Sequence, residues 1–392
     1  MFILLVSIIY LSFISLGLPD SVLGSAWPSM FVAMDVPISY VGIISAIVSI
    51  STIFSSFMSD RVTSRLGSSK TTCISIFLTG AALMGFSFST QFWMLCVLAI
   101  PFGLGAGSVD AALNNYVALH FSAKHMSWLH CMWGVGASIG PYIMGAALAA
   151  DKGWNKGYFY ISIIQLVIAF IVLMSLPIWK KQTKTANPDE VIDTEKKRVP
   201  LTFKQIISIP GAKAVMVTFF CYCAFECTAI LWASSYLNLH RGIDADLAAT
   251  FGSMFLLGIT AGRAISGFIA MKLSDTSMIR IGESIILLGV IMVILPVNDT
   301  VSLIGLVIMG FGCAPVYPSI IHSTPIRFGA EKSQAIIGVQ MACAYTGSCL
   351  MPPLFGLIAN HISISLFPIY MGIILVVMII THELLCKRYP IK

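Results

Sequence analysis

Charge is what this sequence has least of. Only 10 % of its 392 residues are Asp, Glu, Lys or Arg, against about a quarter in a soluble domain. Apolar residues fill the deficit at 57 %, with a mean hydropathy of +0.91, so the chain is an integral membrane protein. Catalytic signatures are missing as well. There is no GxxxxGK phosphate loop, no HExxH and no GxSxG, and the loops are too short for a catalytic domain, which argues against an enzyme. The ten cysteines fall almost entirely inside apolar stretches, where thiols pack as small apolar groups and do not readily pair, so no disulfide is expected. Cys221, Cys223 and Cys227 lie close together. Packing is the plain reading for them and a soft-metal site the rarer one, because no histidine joins them at ligand spacing. The first apolar stretch lacks the basic leader of a signal peptide and runs too long for one; it is read as the first membrane helix.

What is present is a series of about twelve apolar segments, near 2–34, 38–59, 71–90, 92–120, 128–150, 157–178, 212–239, 247–271, 279–297, 300–325, 333–360 and 363–384. Each can cross a hydrocarbon core of roughly 30 Å at about 20 residues per helix. The expected fold class is therefore all-α integral membrane, with twelve transmembrane helices. If the N-terminus is cytoplasmic, the inner loops hold nearly all the lysines and arginines and the outer loops only Lys152, Lys156 and Arg241. Both termini are expected inside, in a plasma membrane of the bacterial inner-membrane type. The net charge of +6 is thus a topology signal and does not point to nucleic acid.

The one long polar run, Lys180 to Gln205, has the composition of a cytoplasmic linker with a short surface helix near its end. It divides the chain into an N-terminal six-helix bundle over 1–179, a linker over 180–210 and a C-terminal six-helix bundle over 211–392. The halves correspond at an offset near 207: Gly103, Gly105 and Gly107 fall on Gly310, Gly312 and Ala314, and Asp20 falls on Glu226 at 206. With a few residues' shift, Gly136, Pro141 and Gly145 fall on Gly347, Pro352 and Gly356. Repeats of this kind imply a binding site between the halves near the bilayer midplane. A self-sufficient monomer is the expected state.

Asp20 is the first residue that demands explanation. It sits beside Pro19, with Gly17 and Gly24 nearby, in an otherwise apolar span. A charge at that depth costs at least about 2.5–3.5 kcal/mol and marks a functional site by default. Pro19 and the glycines predict a kinked or partly unwound helix, the kind of break that lines transporter cavities. In span four, Gly103, Gly105 and Gly107 permit close helix approach, and Asp110 and Asn114 share a face one turn apart. A desolvated carboxyl group favours its neutral form and so can carry a proton through a cycle. The bland alternative is an acid permanently paired to Arg263 or hydrogen-bonded to serines.

Two repeated six-helix halves are the architecture of the major facilitator superfamily. The loop after span two, from Ser59, Asp60 and Arg61 to Arg65 and Gly67, resembles the superfamily's inter-helix motif, with its leading glycine and final basic pair degraded. Within the superfamily the chain most resembles the fucose-permease type of sugar:proton symporter. Carrying that resemblance are Asp20, the run from Gly107 through Asp110 to Asn114 and Asn115, His130, Trp133 and Gly136, and Gly140 with Pro141. Tyr222, Glu226, Trp232 and Tyr236 in span seven, Gly262 and Arg263 in span eight, and Gln340, Tyr345 and Pro352 in span eleven complete it. The resemblance implies a pair of membrane acids used for sugar binding and proton coupling, in the places of Asp20 and Asp110. The family's span-four acid is commonly glutamate, so the shorter aspartate here alters reach.

The expected site then assembles as follows. Asp20, Asp110 and Glu226 are the proton-coupling candidates, Glu226 sharing Asp20's place in the repeat; three acids with one buried arginine would leave at least one protonated at rest. Sugars are held by polar groups and an aromatic face, for which Asn114, Asn115, His130 and Gln340, with His322 as a further candidate, and Trp133, Trp232, Tyr317 and Tyr345 are at hand. Each alone is as often a helix-packing group. Arg263 either binds an acid across the halves or snorkels toward Lys272. Glu283 reads as an interfacial partner of Arg280, and Trp27 as an interfacial anchor. Asp60, Arg61, Arg65, Arg263, Gly140 and Pro141 are candidates for gating and bending. No cofactor is expected; the proton is the expected coupling ion, the substrate a small molecule, and the lipid bilayer the only other partner. Two transport directions remain open. Uptake of a polyhydroxylated solute competes with proton-driven efflux of amphipathic compounds, since Gly136, Gly140, Pro141 and Gly145 are similar to the antiporter motif of drug exporters. Against efflux, span four holds no arginine. A transport-dead sensor or scaffold would need more soluble surface than the central loop supplies.

Overall fold

The computed structural model describes residues 2–185, 200–295 and 298–390, which form helices and short connections without a strand. The first span is made of α1 (Phe2–Gly17) and α2 (Val22–Ala33). It is followed by α3 (Val41–Leu66), α4 (Ser68–Phe88), α5 (Phe92–His120), α6 (Ala123–Ala149) and α7 (Gly153–Thr185). After the short α8 (Phe203–Ser208) come α9 (Ala212–Leu239), α10 (Ala245–Ile269) and α11 (Asp275–Ile294). The tenth span is made of α12 (Asp299–Cys313) and α13 (Val316–Phe328), and α14 (Ala330–His361) and α15 (Phe367–Arg388) end the chain. Twelve of these stretches are long and apolar enough to cross a membrane. The expected linker over 180–210 falls partly on 186–199, outside the described residues. The short helix expected near its end is α8, opened by a capping box between Thr202 and Gln205.

Hydropathy located the spans well but cut some of them short. The segment expected to end at 59 continues as helix to Leu66, so Asp60, Arg61 and Arg65 occupy the last two turns of α3 and not a loop. The turn is Gly67 alone, with φ +79° and ψ 156°. Gly329 joins α13 to α14 in the same way, with φ +87° and ψ 146°. Side chains with a Cβ are strained in that region, at about 1–3 kcal/mol. Trp27 also departs from expectation. It is buried, donates its Nε1–H to the Ile38 carbonyl at 2.7 Å and packs edge-on to Phe92, so it belongs to the interior and is not an interfacial anchor.

Contacts gather the chain into two compact units, Met1–Tyr116 with Met132–Leu201, and Val117–Cys131 with Thr202–Lys392. Lipid offers apolar side chains no reason to leave it, so helix association rests on close packing at small residues. The glycine repeat read from sequence does this work at matching registers. A Cβ on Gly103 would fall 2.4 Å from the Val48 carbonyl oxygen of α3, and one on Gly310 would fall 2.3 Å from that of Phe255 on α10. A Cβ on Gly105 would fall 2.7 Å from Ser75 O of α4, and one on Gly312 would fall 2.9 Å from Gly282 O of α11. Each glycine and its target have moved on by the same 207 positions. A Cβ on Gly136 would likewise fall 2.1 Å from Ile14 O of α1, and one on Gly347 would fall 2.5 Å from Phe220 O of α9. Ile14 and Phe220 are separated by 206, the step from Asp20 to Glu226.

Candidate functional site

In the first unit the helix breaks where Pro19 predicts. Residues 18–21 form turns between α1 and α2, and Asp20 is exposed in that gap. What holds the broken segment is backbone contact with α6. A Cβ on Gly17 would fall 2.1 Å from Trp133 O, and one on Gly140 would fall 2.0 Å from Leu18 O. No larger residue allows that approach, and it brings the Trp133 indole to Asp20, to which Nε1–H donates at 2.7 Å. Asp110 of α5 belongs to the same unit. Asp110 is buried, and its Oδ1 accepts from Asn114 Nδ2 at 2.7 Å, the one-turn pairing expected on that face. Asn115 is buried beside it. A narrow crevice lined by Asp20, Ser15, Thr79, Ala106 and Gln165 runs between these helices, and Gln165 anchors α7 to the Ser15 carbonyl at 2.7 Å.

The second unit gathers a different set. Glu226 of α9 and Arg263 of α10 form a buried ion pair at 3.2 Å within the second unit, so an acid on the preceding span meets Arg263, which is buried and does not snorkel. The Arg263 guanidinium stands 5.9 Å over the Tyr317 ring. Tyr317 is also the hub of an aromatic cluster, with His130 at 4.4 Å, Phe219 at 4.6 Å and Tyr222 at 5.8 Å between ring centroids. Aromatic faces, a cation and an acid thus meet in one place, the mixture that can hold hydroxyls and C–H faces together.

Tyr317 owes its position to a second helix break that sequence reading missed. The tenth span parts at Ala314 and Pro315, between α12 and α13, and Tyr222 Oη donates to the Cys313 carbonyl at 3.0 Å beside the break. Pro315 and Pro318 were the available signal. Other candidates stand elsewhere. Gln340 is fully buried, accepting from Thr324 at 3.1 Å, and Trp232 donates to Pro352 O at 2.9 Å while packing on Phe355. Both tie helices of the second unit together. Tyr345 is half-buried on α14. His322 binds Asp275 through Nδ1 at 2.7 Å and the Phe121 carbonyl through Nε2 at 3.3 Å. Buried Asp60 accepts from the Leu201 amide at 3.3 Å, whereas Arg61 and Arg65 are exposed. Glu283 corrects a further expectation: it is buried against His382 at 3.1 Å, while Arg280 makes a two-pronged pair with Glu383 at 2.6 and 2.9 Å. Among the described residues, no three His, Cys, Asp or Glu side chains gather as a metal would require.

The family model described as Major Facilitator Superfamily matches residues 9–352 and again 216–390. The chain belongs to that superfamily. It is a transporter and not an enzyme. As a facilitator-superfamily member it resembles the glucose/mannose transporter GlcP of Bacillus subtilis (strain 168), at 21 % identity over 76 % of this chain and 73 % of that one. Among solved structures it resembles the Escherichia coli fucose:proton symporter FucP, with a TM-score of 0.76 at 15 % identity and 98 % of each chain covered. It also resembles the proton:xylose symporter XylE, with a TM-score of 0.74 at 11 % identity, covering 98 % of this chain and 95 % of that one. These structural likenesses concern the fold.

Proposed function

We propose that this transporter couples the uptake of a sugar or another small polyhydroxylated solute to protons, by alternating access. The observation that carries the reading is Asp20, an acid in the gap of a broken membrane helix, hydrogen-bonded by Trp133. A carboxyl group taken out of water favours its neutral form, so Asp20 and Asp110 are the groups that would carry the proton. A solute hydroxyl that replaces the indole at Asp20 would link solute binding to that proton. Asn114, Asn115 and Trp133 in the first unit and His130 and Tyr317 in the second are the substrate contacts we favour, while Trp232, Gln340 and Tyr345 brace helices of the second unit. Glu226, paired with Arg263, sets the charge of the second cluster. A relative named for glucose and mannose, and fold neighbours named for fucose:proton and proton:xylose symport, support the substrate class. In this reading the protein is a monomer of a bacterial-type plasma membrane with both termini cytoplasmic.

The test is solute-triggered proton movement in proteoliposomes, screening hexoses, deoxyhexoses, pentoses and disaccharides against wild type and Asp20→Asn. External alkalinisation with one sugar, lost in the variant, is the expected result. Silence across the panel, with a lipophilic compound driving protons the opposite way, would replace uptake by efflux.

A further inference from the structure

Where α11, α13 and α15 meet, at the end of the bundle marked by Lys387 and Arg388, four side chains form a relay that shares no residue with either cluster above. Cys386 Sγ lies 3.4 Å from Nε2 of His382, one turn earlier on α15. The other ring nitrogen of His382 meets Glu283 Oε2 of α11 at 3.1 Å. Arg327, in the last turn of α13, donates to Cys386 Sγ at 3.7 Å and to the Leu385 and Tyr389 carbonyls. His382 and Glu283 are 1 % and 3 % exposed, and the second oxygen of Glu283 is buried without a hydrogen-bond partner. Cys386 itself is half-buried. Cys73 and Cys131, by contrast, are buried and donate to backbone carbonyls. The order is thiol, imidazole, buried carboxylate, with a guanidinium on the sulfur. That is the arrangement that activates a cysteine: a base to take the proton, an acid to orient and balance the base, and a cation to hold the thiolate.

We infer that Cys386 is a site of reversible covalent modification by anionic low-molecular-weight disulfides. The thiol proton passes to His382 Nε2, and the sulfur lone pair attacks one sulfur of the disulfide. The S–S bond breaks, its electron pair leaves on the departing thiolate, and that thiolate takes the proton back from His382. Cys386 ends as a mixed disulfide and one small thiol is released, with no further oxidant. Arg327 sets a positive charge on the sulfur, and Lys387 and Arg388 follow Cys386 in the last turn of α15, with Arg280 and Glu383 paired off nearby. Carboxylate-bearing disulfides are therefore favoured over cationic ones. The adduct displaces Arg327 from the sulfur and so alters the tie between the tenth and twelfth spans.

The experiment treats the purified full-length protein in lipid nanodiscs, both faces accessible, with glutathione disulfide, and maps adducts on all ten cysteines by peptide mass spectrometry against time. Cys386 should react about tenfold or more faster than half-buried Cys96 and Cys349, and His382→Gln should remove that advantage without changing the other sites. Equal rates at the three cysteines, or an undiminished Cys386 rate in a folded His382→Gln protein, would overturn the proposal. If that variant does not fold, wild type decides alone through cystamine, a cationic disulfide. Slower reaction of Cys386 with cystamine than with glutathione disulfide supports the site; equal or faster reaction refutes its preference for anions.

Discussion

Replacing Arg263 by methionine removes the cation from a buried ion pair while keeping an apolar side chain of similar length. Arg263 is 3 % exposed and its partner Glu226 is 9 % exposed, 3.2 Å away. Breaking such a pair from one side costs about 3–5 kcal/mol, because the remaining charge stays buried and uncompensated. For proteins somewhat smaller than this one, each kcal/mol moves the midpoint by about 2–4 °C, so a fall of roughly 6–20 °C is expected. The assay is thermal unfolding of the purified protein in one detergent, for Arg263→Met, Glu226→Gln and the double variant. Each single change should destabilise, and the double should recover most of the loss, since a neutral pair of similar volume is often tolerated. Strict additivity would refute the reasoning. It would mean that the Tyr317 ring under the guanidinium, and not Glu226, is what Arg263 needs.

Three more predictions can be read in the same apparatus or in the transport assay. Gly136→Ala places a methyl group 2.1 Å from the Ile14 carbonyl and should cost about 1–3 kcal/mol, whereas Gly145→Ala, with nothing within 4 Å, should be neutral or slightly stabilising. Equal midpoints for the two variants would contradict the backbone contact between α1 and α6. Asn114→Leu strips a donor from buried Asp110 and should lower stability by about 1–3 kcal/mol, with Asp110→Asn on that background restoring part of it. Trp133→Phe keeps the aromatic face but removes the donor to Asp20, so transport should fall while the unfolding midpoint holds close to wild type. A wild-type rate in Trp133→Phe would take the indole out of the mechanism.

Some of this molecule is legible in sequence because its causes are local. A proline beside an acid predicts the gap at Asp20, and a spacing of four on a helix puts Asp110 and Asn114 on the one face where they bond. The glycine repeat at 207 names backbone contacts in both units before a coordinate is seen. Partners across helices are not legible, because they depend on how each helix is rotated. Glu283 lies three residues from Arg280 in sequence yet turns to His382, ninety-nine residues away, while Arg280 turns to Glu383. Hydropathy failed in another way: it reports where lipid ends and not where hydrogen bonding ends, so α3 runs on through the polar residues after Ser59 to Gly67. The break in the tenth span went unread for want of a charge beside Pro315 to draw attention to it.

The crossing of α1 over α6 is built from main-chain atoms, at Gly17, Gly136 and Gly140. Main chain has no alternative rotamers, so the clamp cannot be loosened by a side chain swinging aside. Just beyond it the helix is interrupted for four residues, 18–21, before α2 resumes. The clamp therefore fixes the chain up to the edge of the gap, and where α2 restarts is set by turns and not by continuous helix. Asp20 lies in those turns, two residues past Leu18, whose carbonyl faces Gly140, so its place follows from main-chain packing.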